Sequence, residues 1–213
     1  MNAISPPMIN STPPPPRGNS NKKKSSSRQS TSFVQGAIEA MERVRAEHGR
    51  CVFVFTAPSR KTGTTYVVNM IAEELTAQFD ATIAVIPTEA LKGCDPKKMP
   101  QGYVEQAPKL WAAVPDEALN HMPDFALESV WISPGANGFD FVLVDCPALE
   151  ASPVALRWAA EVDGVVMVVQ AGSTRIDQIE SAQRLLQSSA GKLKGMILNR
   201  RTYPIPRFLY KIL

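Results

Sequence analysis

Histidine is nearly absent from this chain, with only His48 and His121 among 213 residues. A histidine-based metal centre has little to be built from. The three cysteines, Cys51, Cys94 and Cys146, are odd in number and widely spaced, with no CxxC. That argues against a disulfide scaffold or a zinc site and fits a reducing cytoplasm. No apolar run approaches the roughly 18 residues of a membrane-spanning helix, and the N-terminus lacks the apolar core of a secretory signal. Acids are missing altogether from residues 1–32, which hold five of the 23 bases (Arg17, Lys22, Lys23, Lys24 and Arg28). Residues 33–213 are left with 18 bases against 20 acids, so the net charge of +3 belongs to the tail. Nucleic-acid binding by a basic body is disfavoured.

The tail carries 6 of the 18 prolines, four of them consecutive (Pro13 to Pro16), and the serine run Ser25 to Ser27. It has too little apolar side chain to offset the entropy of ordering and is expected to be disordered. Residues 33–213 suit one domain with a sizeable core. Phe33 to His48 has apolar residues at helical spacing, with Gly49 as a stop. Cys51 to Phe55 is a continuous apolar run, as expected of a strand buried on both faces. The turn-rich loop Thr56 to Thr65 follows, then helical spacing from Tyr66 to Phe79 and a second strand, Thr82 to Ile86. Residues 92–138 are punctuated by six prolines, which leaves room for short helices only. Beyond them lie a strand over Phe139 to Asp145, a helix over Pro153 to Glu161 and a strand over Gly164 to Gln170. A helix over Ile176 to Ser188 and a strand over Lys194 to Asn199 complete the series. Apolar strands alternating with helices predict an α/β, doubly wound, mainly parallel sheet. Ligands of such sheets sit at the carboxyl ends of the strands, here residues 56–65, 87–89, 145–148, 171–174 and 199–206.

Three strings in those places carry a resemblance. Phe139-Asp-Phe-Val-Leu-Val-Asp-Cys-Pro147 is similar to a Walker B strand. Asp163-Gly-Val-Val-Met-Val-Val-Gln-Ala-Gly-Ser-Thr174 follows, with 18 residues from Asp145 to Asp163, and then Gly195-Met-Ile-Leu-Asn-Arg200 with Pro204, Pro206 and Tyr210 behind it. In order and at these separations they resemble the bacterial tyrosine kinases of polysaccharide synthesis, within the ParA- and MinD-like P-loop ATPases. The resemblance implies a P-loop NTPase-like domain over residues 33–213, with ATP or ADP and magnesium as cofactors. It also implies a membrane partner that controls polysaccharide chain length, and contacts between subunits or with that partner through the helix at residues 33–48. That helix could equally pack on its own sheet.

The chain departs from the family at the chemistry itself. A P-loop curls glycine-rich backbone around phosphates and reaches them with a lysine. Anchored on Asn69, the family's G-x-G-K-S-T falls on Arg60-Lys-Thr-Gly-Thr-Thr65, which puts Gly63 in the lysine slot. Sliding the frame by one residue matches a glycine with Gly63 and still supplies no lysine. The family's aspartate pair on the second strand falls on Pro87-Thr-Glu89, where only Glu89 could act. The acid expected nine residues after Asp145 is Val154, and Ala148 replaces the second Walker B proline. An active enzyme would rely on Asp145 as Walker B acid, with Glu89 as substitute. Candidate cofactor-binding residues are Arg60, Lys61, Gly63, Thr64 and Thr65 on the loop, with Asn199 and Pro206 carried over from the resemblance. Thr64 and Asp145 are the candidate magnesium ligands.

Each has a structural alternative. Arg60 and Lys61 suit a solvated loop, Asp145 a turn cap, Thr64 and Thr65 a helix N-cap, and Asn199 a turn. Cys146 reads as a buried small apolar group rather than a nucleophile. Tyr203 and Tyr210 suit a packing segment better than a phosphate-accepting tail. Three functions follow: a non-catalytic or weakly nucleotide-binding regulator or scaffold of exopolysaccharide synthesis or export, an active tyrosine kinase or ATPase with an unorthodox P-loop, or a ParA- or MinD-like positioning ATPase. All are expected in the cytoplasm, the first two at the inner face of the membrane through a partner. Without the lysine, a site holding no nucleotide is the alternative to one holding ATP or ADP.

Overall fold

A computed structural model describes residues 34–91, 102–115 and 138–200. The expected tail, Cys94, His121, Tyr203, Pro206 and Tyr210 lie outside the described residues. The elements run α1 (Gln35–His48), β1 (Cys51–Thr56), α2 (Thr64–Gln78), β2 (Ile83–Ile86), a 3₁₀ turn (Thr88–Leu91), β3 (Tyr103–Ala107) and β4 (Leu110–Ala113). They continue with β5 (Phe141–Asp145), α3 (Val154–Ala159), β6 (Gly164–Gln170), α4 (Ile176–Ser188) and β7 (Leu193–Asn199). Among the described residues the strands form one sheet in the order β3-β4-β2-β5-β1-β6-β7. Every pairing is parallel except β3 with β4.

The central strand β1 is buried along its whole length, so its pleat feeds two cores at once. Val52 and Val54 pack with Trp158, Ala182 and Leu186 under α3 and α4. Phe53 and Phe55 pack with Ile38, Met41, Val67 and Ile71 under α1 and α2. Removing such side chains from water contributes about 1.5–3 kcal/mol each. Helix α1 therefore spends its apolar stripe on its own sheet, which is one of the two uses expected for it. Gly49 ends it with φ 79°, donating its N–H to the carbonyl of Arg45 at 2.8 Å.

One expectation fails. The proline-rich stretch that should hold short helices only contains the β3–β4 hairpin. Pro108 sits in the turn, where a fixed φ is an advantage, and Lys109 beside it takes φ 66°. The hairpin is held from outside: Lys109 accepts a hydrogen bond from the Ile83 N–H at 2.9 Å. The rings of Tyr103 and Trp111 lie 4.9 and 6.4 Å from that of Phe139.

Candidate functional site

The carboxyl ends of β1, β2 and β5 open together beside the N-terminus of α2. The loop from β1 to α2, Thr88 after β2, and residues 145–148 after β5 line a cavity of about 390 Å³. The loop must close tightly to begin α2, and two residues take left-handed backbone to do so: Lys61 at φ 63° and Gly63 at φ 85°. Gly63 is the N-cap of α2, and no side chain caps the helix. The threonines are thus inside the first turn rather than capping it. An uncapped N-terminus of a 15-residue helix leaves backbone N–H groups and the positive end of its dipole facing the cavity.

Asp145 ends β5 with 3% of its surface exposed. Its Oδ2 accepts a hydrogen bond from Thr65 Oγ1 at 2.6 Å, and its backbone carbonyl accepts one from Thr88 Oγ1 at 3.0 Å. Burial pushes the carboxyl up from its ordinary 3.8 to about 6; the Thr65 hydroxyl pulls it down and the charge of Glu89 adds to the rise. Thr64, the expected magnesium ligand, turns elsewhere: its hydroxyl lies 3.2 Å from that of Thr62. The meeting of Thr65 with Asp145 matches the frame slid by one residue, with Gly63 on a glycine and Thr64 in the lysine slot. Glu89 stands exposed in the 3₁₀ turn, outside the cavity lining.

Arg60 and Lys61 line the cavity from an exposed part of the loop. The backbone N–H of Arg60 is taken by Glu150, which accepts it at 2.5 Å. Glu150 lies 90 residues away, and no sequence signal linked it to the loop. Asn199 approaches from the opposite side, through β7. Its Nδ2 donates to the carbonyl of Thr62 at 2.8 Å and its Oδ1 accepts from the Arg200 N–H at 2.8 Å. A Cβ on Gly63 would lie 2.5 Å from that Nδ2, so glycine is demanded there twice over. Burial raises the Cys146 thiol well above its ordinary value and Asp145 adds to the rise, which suits a packing residue rather than a nucleophile.

A phosphate fits this arrangement through the uncapped helix and Gly63. A metal ion alone does not, since no group of three His, Cys, Asp or Glu side chains is gathered among the described residues. Magnesium would need phosphate oxygens beside Thr65 and Asp145 to complete its shell.

No protein-family model matches the chain. Over 64 residues, 30% of this chain, it is 34% identical to the tyrosine-protein kinase CpsD of Streptococcus agalactiae. The match spans 28% of that relative's length. Among solved structures, the VpsO kinase domain aligns over 85% of this chain and 99% of its own, with a TM-score of 0.58 and 15% identity. A plasmid partition protein of Borrelia burgdorferi B31, bound to AMPPNP, aligns over 77% and 80% with a TM-score of 0.51 and 13% identity. These structures share the P-loop fold with this chain. The resemblance to the bacterial tyrosine kinases of polysaccharide synthesis rests on the sequence match and on the three strings.

Proposed function

We propose that this relative of the bacterial tyrosine kinases of polysaccharide synthesis is a non-catalytic or weakly nucleotide-binding regulator or scaffold of exopolysaccharide synthesis or export. The observation that carries the reading is how Asp145 is answered. Its partner is the neutral hydroxyl of Thr65, and the lysine slot beside it holds Thr64. Phosphoryl transfer needs positioning and neutralised charge more than covalent chemistry. A loop without its lysine and a second strand without its aspartate pair lose the groups that supply both. By resemblance the partner is the membrane protein that controls chain length, and the chain works in the cytoplasm at the membrane face. No helix among the described residues is long and apolar enough to cross a membrane.

Pure protein incubated with magnesium-ATP is expected to show neither phosphotyrosine nor ATP hydrolysis above background. Activity that disappears in Asp145→Ala would establish the competing reading, an active kinase with an unorthodox loop.

A further inference from the structure

Strand β7 is an edge of the sheet among the described residues, so its outer side keeps backbone N–H and C=O groups that no strand has taken. With 7 residues it is as long as its neighbour β6. Yet β6 is buried almost throughout, and β7 is exposed at Lys194, Gly195, Met196 and Leu198. A long, open edge of this kind is where a sheet accepts another strand.

The two faces of this edge carry different chemistry. Met196 and Leu198 pair in register with Met167 and Val169, which are buried under α3 and α4. They therefore lie on the face that α4 covers, but they stay 45% and 46% exposed. The opposite face holds two bases. A Cβ on Gly164 would lie 2.6 Å from Lys194 Cγ and 2.8 Å from the Phe53 ring, which belongs to the core under α1 and α2. The lysine stem thus crosses that face, in room that only a glycine leaves. Arg200 reaches the same face: its Nη1 lies 3.4 Å from Oε1 of Gln170, two residues past Val168 of that core. Both bases are exposed, and no carboxylate pairs with either among the described residues.

Charge decides what fits here. Lysine on an edge strand repels stray strands, and at β7 it repels those nearest to hand. Residues 1–32 and 201–213 hold five and three bases with no acid, and a second copy of β7 would add two more bases. An acidic strand is attracted instead. We propose that the β7 edge binds a partner protein through an extended segment of alternating apolar and acidic residues, added to the sheet as a further strand. The backbone of that segment takes up the outward N–H and C=O groups of β7. Alternate side chains of a strand point to opposite faces, so one segment covers Met196 and Leu198 and sets carboxylates beside Lys194 and Arg200. The assignment stands on the edge alone and does not depend on what the cavity beside Asp145 holds.

The test is fluorescence anisotropy of the full chain with three labelled peptides: alternating valine and glutamate, alternating valine and lysine, and a shuffled form of the first that lacks the alternation. The valine–glutamate peptide should bind saturably and the valine–lysine peptide should not. The shuffled peptide should bind about tenfold more weakly, because it cannot place its two chemistries on opposite faces. Combining Met196→Ser with Leu198→Ser should weaken the valine–glutamate peptide about tenfold, the worth of two half-exposed apolar side chains. Lys194→Glu should weaken it about threefold or more and make binding of the valine–lysine peptide measurable. All three positions are exposed, and an unchanged urea midpoint would show that folding is intact. Failure of the valine–glutamate peptide to bind overturns the assignment, as does binding that ignores the charge or the order of the peptide. The scaffold reading survives either result. A concentration-dependent dimer in light scattering, lost in the double serine variant, overturns it in favour of pairing between two copies.

Discussion

Asp145 is a buried acid with a hydroxyl for a partner, and that combination has a pH signature. Its folded pKa, about 6, stands above the unfolded value. The native state therefore holds the proton more tightly, and the stability this gives is complete below the unfolded value. It is lost as pH rises through about 6. Two units or so correspond to about 3 kcal/mol at most. Asp145→Asn keeps an acceptor for Thr65 and cannot ionise. It should be at least as stable as wild type at pH 7.5, the two converging towards pH 4 in urea denaturation. A steeper loss of stability with pH in the variant would contradict the assignment. Gly63 makes a second prediction at this scale. Gly63→Ala should cost about 1–3 kcal/mol, from left-handed strain and from the clash with Asn199. Adding Asn199→Ala should return only part of that, because it relieves the clash and not the dihedral. A double-mutant cycle in urea separates the two.

Among elements, the β3–β4 hairpin is the one whose stability comes least from its own sequence. Its strands are short, β3 is exposed beyond Val104, and two-stranded hairpins are marginal alone. What holds it is the edge of β2 and the aromatic contact with Phe139. Phe139→Ala should cost about 3–5 kcal/mol. Hydrogen exchange of the Val104 and Ala112 amides should quicken more than exchange in β7, at the opposite edge of the sheet. Equal acceleration across the sheet would mean that the hairpin is not a separate unit of stability. Helix α1 has the opposite character: Ile38 and Met41, 1% and 0% exposed, are anchored in the main core.

For the whole molecule, the sheet order sets the distribution of chemistry. Strand β1 carries the phosphate loop at the centre, β5 and β2 bring Asp145 and Thr88 to one side, and β7 brings Asn199 and Arg200 to the other. The loop is therefore met by a buried acid on one side and by the Asn199 amide on the other. The body offers no strong positive field to draw anions in, with 18 bases against 20 acids in residues 33–213. Under the proposed function, such a molecule holds a phosphate weakly and transfers none. This is why catalytic turnover is expected to be absent even if ADP binds, an outcome read by running the phosphorylation assay and a calorimetric ADP titration on one preparation.

The sequence by itself determined the alternation of strands and helices, because apolar runs and 3.6-residue spacing report burial that is local in the chain. It also determined that the loop lacks its lysine, a matter of which residue stands at a position. It misjudged the β3–β4 hairpin, whose strands exist through partners on β2 and at Phe139 and whose proline lies in the turn. Only the tertiary structure decided that Thr65 and not Thr64 meets Asp145, since one residue along a helix turns a side chain by about 100°. It alone brought Glu150 to the Arg60 amide and Arg200 to Gly63. These contacts span 90 to 137 residues, and crossover connections close such distances without leaving any local pattern.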